Sequence, residues 1–195
     1  YWGEANGGAT NDNWGHTNNF GPLPVGPFSN QVTDLTPNLM HYYRCFATNS
    51  GGGAWASETT NFLTLAAAPA MANLAPSNVL SDSAFLNGSL TSTGGTLTEV
   101  YVLWGTADGL GDFSAWQHTN YFGTNSLALP ALYSVMATGL VPLTTYYYRF
   151  FATNSAAGVW AVPTTNFTTQ VSPPSIANDA ATGITSTNAF LNGTL

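Results

Sequence analysis

Lysine is absent from this sequence, arginine occurs only as Arg44 and Arg149, and cysteine only as Cys45. Each shortage excludes something. Nucleic-acid binding needs clustered Lys and Arg to neutralise phosphate, and a formal net charge of −7 offers none. An anionic membrane surface is disfavoured for the same reason. No apolar run approaches the roughly 20 residues of a membrane helix, so no membrane insertion is expected. Without Lys there can be no Lys–Asn isopeptide cross-link, and stiffness must come from packing. One cysteine excludes an intrachain disulfide. In an apolar strand a lone thiol reads as a small core residue, because a redox or nucleophilic thiol needs cationic surroundings.

What remains is 44% hydrophobic and only 6% charged, against about 25% charged in an ordinary soluble domain. Thr, Ser, Asn, Gly and Ala fill the gap. Such a surface is polar but neutral. It suits a protein that packs against copies of itself, or one that is secreted and glycosylated. The sequence opens at Tyr1-Trp2-Gly3, inside an apolar stretch with no leader, which reads as a segment or processed product of a longer chain.

Self-similarity is the dominant signal. "YYRCFATNSGGGAWA" (42–56) returns as "YYRFFATNSAAGVWA" (147–161), an offset of 105 residues from Arg44 to Arg149. Upstream, Trp2-Gly3 matches Trp104-Gly105, Trp14 matches Trp116, and "HTNNFG" (16–21) matches "HTNYFG" (118–123) at an offset of 102. A three-residue insertion or deletion therefore falls between about Gly21 and Leu35. "SAFLNGSL" (83–90) returns as "NAFLNGTL" (188–195), again 105 residues on. Residues 1–65 are thus the later strands of a first unit, 70–170 a whole unit, and 174–195 the first strands of a third. Ala- and Pro-rich joints lie between them (65–76 and 170–176).

Each unit reads as short strands between turns, with no helical periodicity. In the whole unit the expected strands are 84–86, ended by an Asn87-Gly88 turn, then 98–104, 116–122, about 126–137, 146–153, Trp160 and 166–169. About seven strands per hundred residues is the signature of an antiparallel β-sandwich. The strictest pattern is Leu140-x-Pro142-x-Thr144-x-Tyr146-x-Tyr148-x-Phe150-x-Ala152-x-Asn154, whose alternation puts these side chains on one face. This series resembles the fibronectin type III family, where a leucine and a proline precede a tyrosine corner. The resemblance implies an all-β chain of tandem antiparallel seven-stranded β-sandwiches (fibronectin type III-like), with incomplete sandwiches at both ends. It says little about function. Trp-Gly-x-x-x-Gly before a second Trp looks like variants in large secreted bacterial repeat proteins. In the first copy His41 replaces the corner tyrosine, and its imidazole can donate one hydrogen bond to a carbonyl.

Candidate chemistry is sparse. His16 and His118 recur after a Trp without a consistent second ligand, which argues for a strand or turn role. Asp108 and Asp112 in "GTADGLGDFSAW", with Glu4, Asn6 and Asp12 in its counterpart, are weak calcium candidates, since Asp-Gly and Asn-Gly are also ordinary turn chemistry. No other metal and no cofactor is expected. The outward set Tyr42, Arg44, Phe46 and its twin Tyr147, Arg149, Phe151, extended by Trp55, Trp160, Trp14 and Trp116, forms an aromatic stripe. It is open to three readings: packing against another repeat, a sugar-stacking platform, or cover by loops or linkers of the same domain. Asn87, Asn166 and Asn192 begin N-glycosylation patterns. No paired carboxylates, nucleophile–base set or phosphate-binding glycine loop stands in a matching context, so no catalytic residue is expected and the chain is not read as an enzyme.

A sandwich lacking strands exposes edges and an open core. Residues 174–195, through Ala189, Phe190 and Leu191, are the candidates to complete residues 1–65 of a neighbour, either in one covalent array or by strand donation. Head-to-tail contacts that do not close make a filament. The expected function is a structural subunit or segment of an extracellular, cell-surface, bacterial filament or stalk. Its partners would be copies of itself in a head-to-tail homopolymer, with glycans as a further option. The alternatives are a carbohydrate-binding or adhesin module, or an accessory domain of a secreted hydrolase.

Overall fold

The computed structural model describes residues 1–125 and 128–195. The chain is all-β. Helix among the described residues is confined to two single 3-10 turns, Asn11–Asn13 and Phe113–Ala115. Among the described residues no helix is long and apolar enough to cross a membrane.

Five strands come first: β1 (Trp2–Gly3), β2 (Met40–Tyr43), β3 (Phe46–Asn49), β4 (Gly52–Trp55) and β5 (Thr60–Leu63). They form a sheet of order β1-β2-β5 and a β3-β4 hairpin. The central strands are β6 (Ala70–Asn73), β7 (Ser83–Ser92), β8 (Glu99–Gly105), β9 (His118–Thr124), β10 (Ala131–Thr138), β11 (Thr145–Thr153), β12 (Gly158–Trp160) and β13 (Thr165–Thr168). One central sheet has the order β10-β7-β6 and the other β12-β11-β8-β9, with β13 also on β11. A last hairpin joins β14 (Ala177–Thr182) to β15 (Phe190–Thr194). All pairings are antiparallel.

Alternation builds the core. Tyr146, Tyr148, Phe150 and Ala152 of β11 are buried while their neighbours are half-exposed. They meet Ala84, Leu86 and Leu90 of β7 and Tyr133 of β10 across the sandwich, with Val100, Val102 and Trp104 beside them. Each fully buried Leu, Phe or Tyr side chain here contributes about 1.5–3 kcal/mol. Polar clips fix the two sheets in register. The Tyr148 hydroxyl donates to the Leu74 carbonyl, and the Phe150 N–H donates to Asn73 Oδ1 at 2.9 Å. The corner tyrosine of the sequence series is present: Tyr146 Oη accepts the Val141 N–H at 3.0 Å.

Two expectations are corrected. Asn87-Gly88 does not end a strand, because β7 runs unbroken from Ser83 to Ser92. Asn87 is consumed by the sheet: its Nδ2 donates to the Ala75 carbonyl at 2.9 Å and to Ser77 Oγ at 3.1 Å, and its Oδ1 accepts from Ser134 Oγ at 2.7 Å. Gly88 is glycine for packing, since a Cβ there would lie 2.7 Å from the Phe150 ring. The strand expected over about 126–137 begins at Ala131 in the described structure, and its first two positions, Ser126 and Leu127, lie outside the described residues.

The first unit repeats the larger central sheet in part: β1, β2 with β3, β4 and β5 answer β8, β11, β12 and β13, while the counterpart of β9 forms only an isolated bridge at His16. Phe20 meets Phe28 at 5.1 Å and 62°, as Phe122 meets Tyr133 at 5.1 Å and 63°. The three-residue difference in spacing therefore falls between Phe20 and Phe28. His41 stacks on Phe62 at 5.6 Å as Tyr146 stacks on Phe167 at 5.9 Å. Its Nε2 lies 3.4 Å from the Thr36 carbonyl, while its buried Nδ1 has no partner among the described residues. The segment 26–33, counterpart of β10, forms no strand, and among the described residues none pairs with it as β7 pairs with β10.

The joint between the first two units is hydrogen-bonded. The Ala67 N–H donates to the Gly94 carbonyl at 2.9 Å, and Asn154 Nδ2 donates to the Ala67 and Thr93 carbonyls at 2.8 Å each. Asn38 Nδ2 reaches across to the Gly95 carbonyl at 2.7 Å. Gly94 has a φ of +64°, and a Cβ there would meet the Ala67 carbonyl oxygen at 1.9 Å, so only glycine fits.

Candidate functional site

The outward stripe lies where alternation places it, but it is not bare. Phe113, on the 3-10 turn of the 105–117 loop, packs at 4.9 Å against both Phe151 and Trp160. Phe151 and Trp160 are themselves 4.9 Å apart, and Tyr101 joins from β8. Arg149 Nε donates to the Ala161 carbonyl at 2.5 Å, and its guanidinium lies 5.6 Å over Trp160. Tyr147 is half-buried and pairs with Gly105 and Asn166. In the first unit Tyr1 stands against Phe46 and Trp55, and Arg44 donates to the Ala56 and Ser57 carbonyls at 2.8 and 2.9 Å, its guanidinium 6.0 Å from the Trp55 ring. Tyr42 is half-buried on β2 opposite Gly3 and Asn61. Both arginines thus act as staples, joining a strand to the turn beyond it.

The rings of this stripe are tilted steeply against one another, by 51–86° among Phe46, Trp55, Phe113, Phe151 and Trp160. A flat sugar platform needs coplanar ring faces, and these rings are not coplanar. The exception is Tyr101, stacked on exposed Tyr121 at 4.7 Å. Both hydroxyls donate to Glu99, at 2.9 and 3.2 Å, and that bond pushes the Tyr101 hydroxyl above its ordinary range, with burial and the Glu99 charge adding to it. The sequence reading missed Tyr101, Phe113 and Tyr121. The alternating aromatics of β8 carried a signal for Tyr101, whereas Phe113 sits in a loop with no periodicity.

The calcium candidates are occupied locally. Asp108 Oδ1 accepts from the Leu110 N–H at 2.9 Å and Thr164 Oγ1 at 3.1 Å. Asp112 Oδ1 accepts from the Ser114 hydroxyl and N–H at 2.7 and 2.8 Å, which holds its carboxyl below the usual range. Among the described residues no three His, Cys, Asp or Glu side chains cluster closely enough to hold a metal ion. His16 and His118 lie flat on Trp2 and Trp104, at 4.1 and 3.9 Å. Trp14 and Trp116 are buried over Gly7 and Gly109, where any Cβ would strike the indole at 2.6 Å. Of the three glycosylation patterns, Asn87 and Asn192 have their amides committed, while Asn166 is exposed.

The unusual feature is the inner face of the first unit. Trp2, Phe20, Phe28, Tyr43, Cys45 and Phe62 line an open groove of about 320 Å³. These are the counterparts of Trp104, Phe122, Tyr133, Tyr148, Phe150 and Phe167, all of them in or packed against the central core. Tyr43 is 42% exposed where Tyr148 is 0%. The β14–β15 hairpin shows the converse. Leu191 is 91% and Leu195 90% exposed, where Leu86 and Leu90 are 0%. Ala189 is exposed just before β15, on the face of Leu191. Phe190 lies on the opposite face, its ring over Gly183.

A three-stranded sheet packed on a larger one in this order defines a fibronectin type III-like β-sandwich. The comparisons give no narrower class: no family model and no curated protein matches the chain. Among solved structures, the sensor domain of the anti-sigma factor RsgI4 of Pseudobacteroides cellulosolvens is 22% identical, covering 52% of this chain and 94% of that one at a TM-score of 0.39. The FN1–FN3 domains of chicken CNTN1 are 20% identical, covering 71% and 45% at 0.36. Domains d3–d4 of the rat CD45 extracellular region are 16% identical, covering 78% and 76% at 0.45. The fold assignment rests on strand order and register, which these likenesses do not extend.

Proposed function

We propose that this chain is a structural segment of an extracellular filament or stalk built from tandem β-sandwich modules, each joined to the next by covalent continuity or by strand donation. The observation that carries this reading is the recurrence of one strand pattern along the chain, β2 to β5 answering β11 to β13 and β14–β15 answering β6–β7. The face of Tyr43, Cys45 and Phe62 answers the core face of Tyr148, Phe150 and Phe167 residue for residue, and residues 177–195 repeat the first two strands of the three-stranded sheet. The clamped joint at Ala67, Gly94 and Asn38 supports a stack of modules held at set angles rather than beads on a loose string. Copies of this chain are the partners the reading requires. A carbohydrate-binding module is the weaker reading, because the rings of the stripe are tilted against one another rather than coplanar.

Electron microscopy of the native assembly tests the proposal. The expected result is a fibre whose axial repeat equals one or two sandwich lengths. Isolated monomers at high concentration would refute it. A denaturing gel then separates the two modes of joining: a ladder or very large band marks a covalent array, a single monomer band marks strand exchange.

A further inference from the structure

We propose that Glu99, Tyr101 and Tyr121 of the central unit form a binding site for an arginine side chain, presented by a basic segment of a different protein. The guanidinium lies flat on the outer face of Tyr121, with its N–H edge on the Glu99 carboxylate. How the modules are joined to one another does not enter.

The repeat acts as an internal control. His16 and His118, Arg44 and Arg149, and Trp55 and Trp160 recur in both units and serve the fold. Within "HTNNFG" (16–21) and "HTNYFG" (118–123) a single position differs, Asn19 against Tyr121. Asn19 has a local task, since its Oδ1 accepts the Gly21 N–H at 2.9 Å. Tyr121 gives up that bond and leaves a ring that is 54% exposed. In the same register Asn11 of the first unit gives way to Phe113, whose ring stands edge-on to Tyr101 at 6.0 Å and 83°. Both exchanges put an aromatic ring against Tyr101.

The chemistry of the three side chains selects the ligand. Tyr101 lies against one face of Tyr121 at 4.7 Å and 27°, which turns the other face outward. The two hydroxyls spend their protons on Glu99 at 2.9 and 3.2 Å, one on each carboxylate oxygen. What these side chains still offer is lone pairs on the hydroxyl and carboxylate oxygens and the negative face of a tyrosine ring. They are acceptors only, and they carry one negative charge. A planar cation rich in N–H donors meets all of them, by stacking on the ring and pairing with the carboxylate. An ammonium meets them only as a point charge, and a neutral hydroxyl brings no charge. The chain itself supplies no such group. It has no lysine, and Arg44 and Arg149 are held by the Ala56, Ser57 and Ala161 carbonyls. A copy of this chain is therefore not the partner at this site. The formal net charge of −7 draws in a basic segment from further away.

The isotope-labelled full chain, titrated with a capped Gly-Arg-Gly-Arg-Gly peptide and followed by NMR, tests the site. The ring signals of Tyr101 and Tyr121 and the amides of 99–101 and 119–122 should move together. The same peptide with citrulline in place of arginine should move none of them. Tyr121→Asn installs the residue of the first unit and leaves the net charge unaltered. It should weaken affinity by about 2- to 5-fold, the worth of an exposed cation–π contact. Glu99→Gln should weaken it at least as much, whereas Glu58→Gln, which removes one charge at an exposed position of the first unit, should not. Equal losses from these two variants reduce the binding to bulk charge and overturn the proposal, as does unchanged affinity in Tyr121→Asn. The arginine–citrulline comparison needs no variant, so it decides even where a substitution unfolds the chain, and equal shifts from both peptides sink the proposal. A neutral glucose hexasaccharide that moves the Tyr121 signals where the arginine peptide does not replaces the cation by a sugar.

Discussion

His118 lies flat against Trp104, ring centroids 3.9 Å and planes 19° apart, while the indole N–H of Trp104 donates to Asn120 at 2.9 Å. The exposed imidazole shields the edge of the core where β8 meets β9. His118→Ala should destabilise the central unit by about 0.5–1.5 kcal/mol, the value of an aromatic pair beyond its area. Urea unfolding followed by tryptophan fluorescence would measure this, and a silent substitution would make the stack incidental.

Gly88→Ala tests why a glycine stands in the middle of a long strand. The added methyl would lie 2.7 Å from the Phe150 ring and 2.8 Å from Met71 Cε. Overpacking of this kind costs about 1–3 kcal/mol. Phe150→Leu in the Gly88→Ala background should recover part of that loss, and a double-mutant cycle in thermal unfolding would give the coupling.

Tyr148 contributes to the alkaline sensitivity of the central unit. Burial pushes its hydroxyl up to about 12, against about 10 in an unfolded chain. Above pH 10 the unfolded chain releases a proton that the folded one keeps. Stability from this residue is complete below about pH 10 and is lost as pH rises towards about 12, a fall of roughly 2 kcal/mol. Urea titrations at about pH 9 and about pH 11.5 should show the fall. Tyr148→Phe should reduce the fall, leaving the share of Tyr101 and Tyr133, while lowering stability at neutral pH through the lost bond to Leu74.

Asn38→Asp probes the joint. Asp tolerates the φ of 51° found at this residue. It replaces the amide donor by a carboxylate oxygen facing the Gly95 carbonyl. The two units should then reorient independently, seen as a broader distance distribution in small-angle scattering, with each unit's own stability changed by no more than about 0.5 kcal/mol.

The sandwich was legible because its signals are local. Tyr146, Tyr148, Phe150 and Ala152 alternate, and the alternation alone decides which face is buried. Asn87-Gly88 misled because the same dipeptide serves a turn and a strand, and the deciding contact is a ring from a residue 62 positions away, Phe150. The stripe was visible as Tyr147, Arg149 and Phe151, but its cover by Phe113 was not, since nothing in a loop sequence says where the loop folds back. His41 was readable as the replacement of the corner tyrosine, but its long contact to Thr36 and an Nδ1 without a partner among the described residues were not.

Arg44 and Arg149 are each bound to backbone carbonyls and laid over a tryptophan. Neither is left to meet a carboxylate on another fibre, and no lysine takes that task. A net charge of −7 per copy therefore accumulates along any stack. Fibres of the kind proposed would be held apart along their flanks by this charge. Salt that screens this repulsion would draw them into bundles.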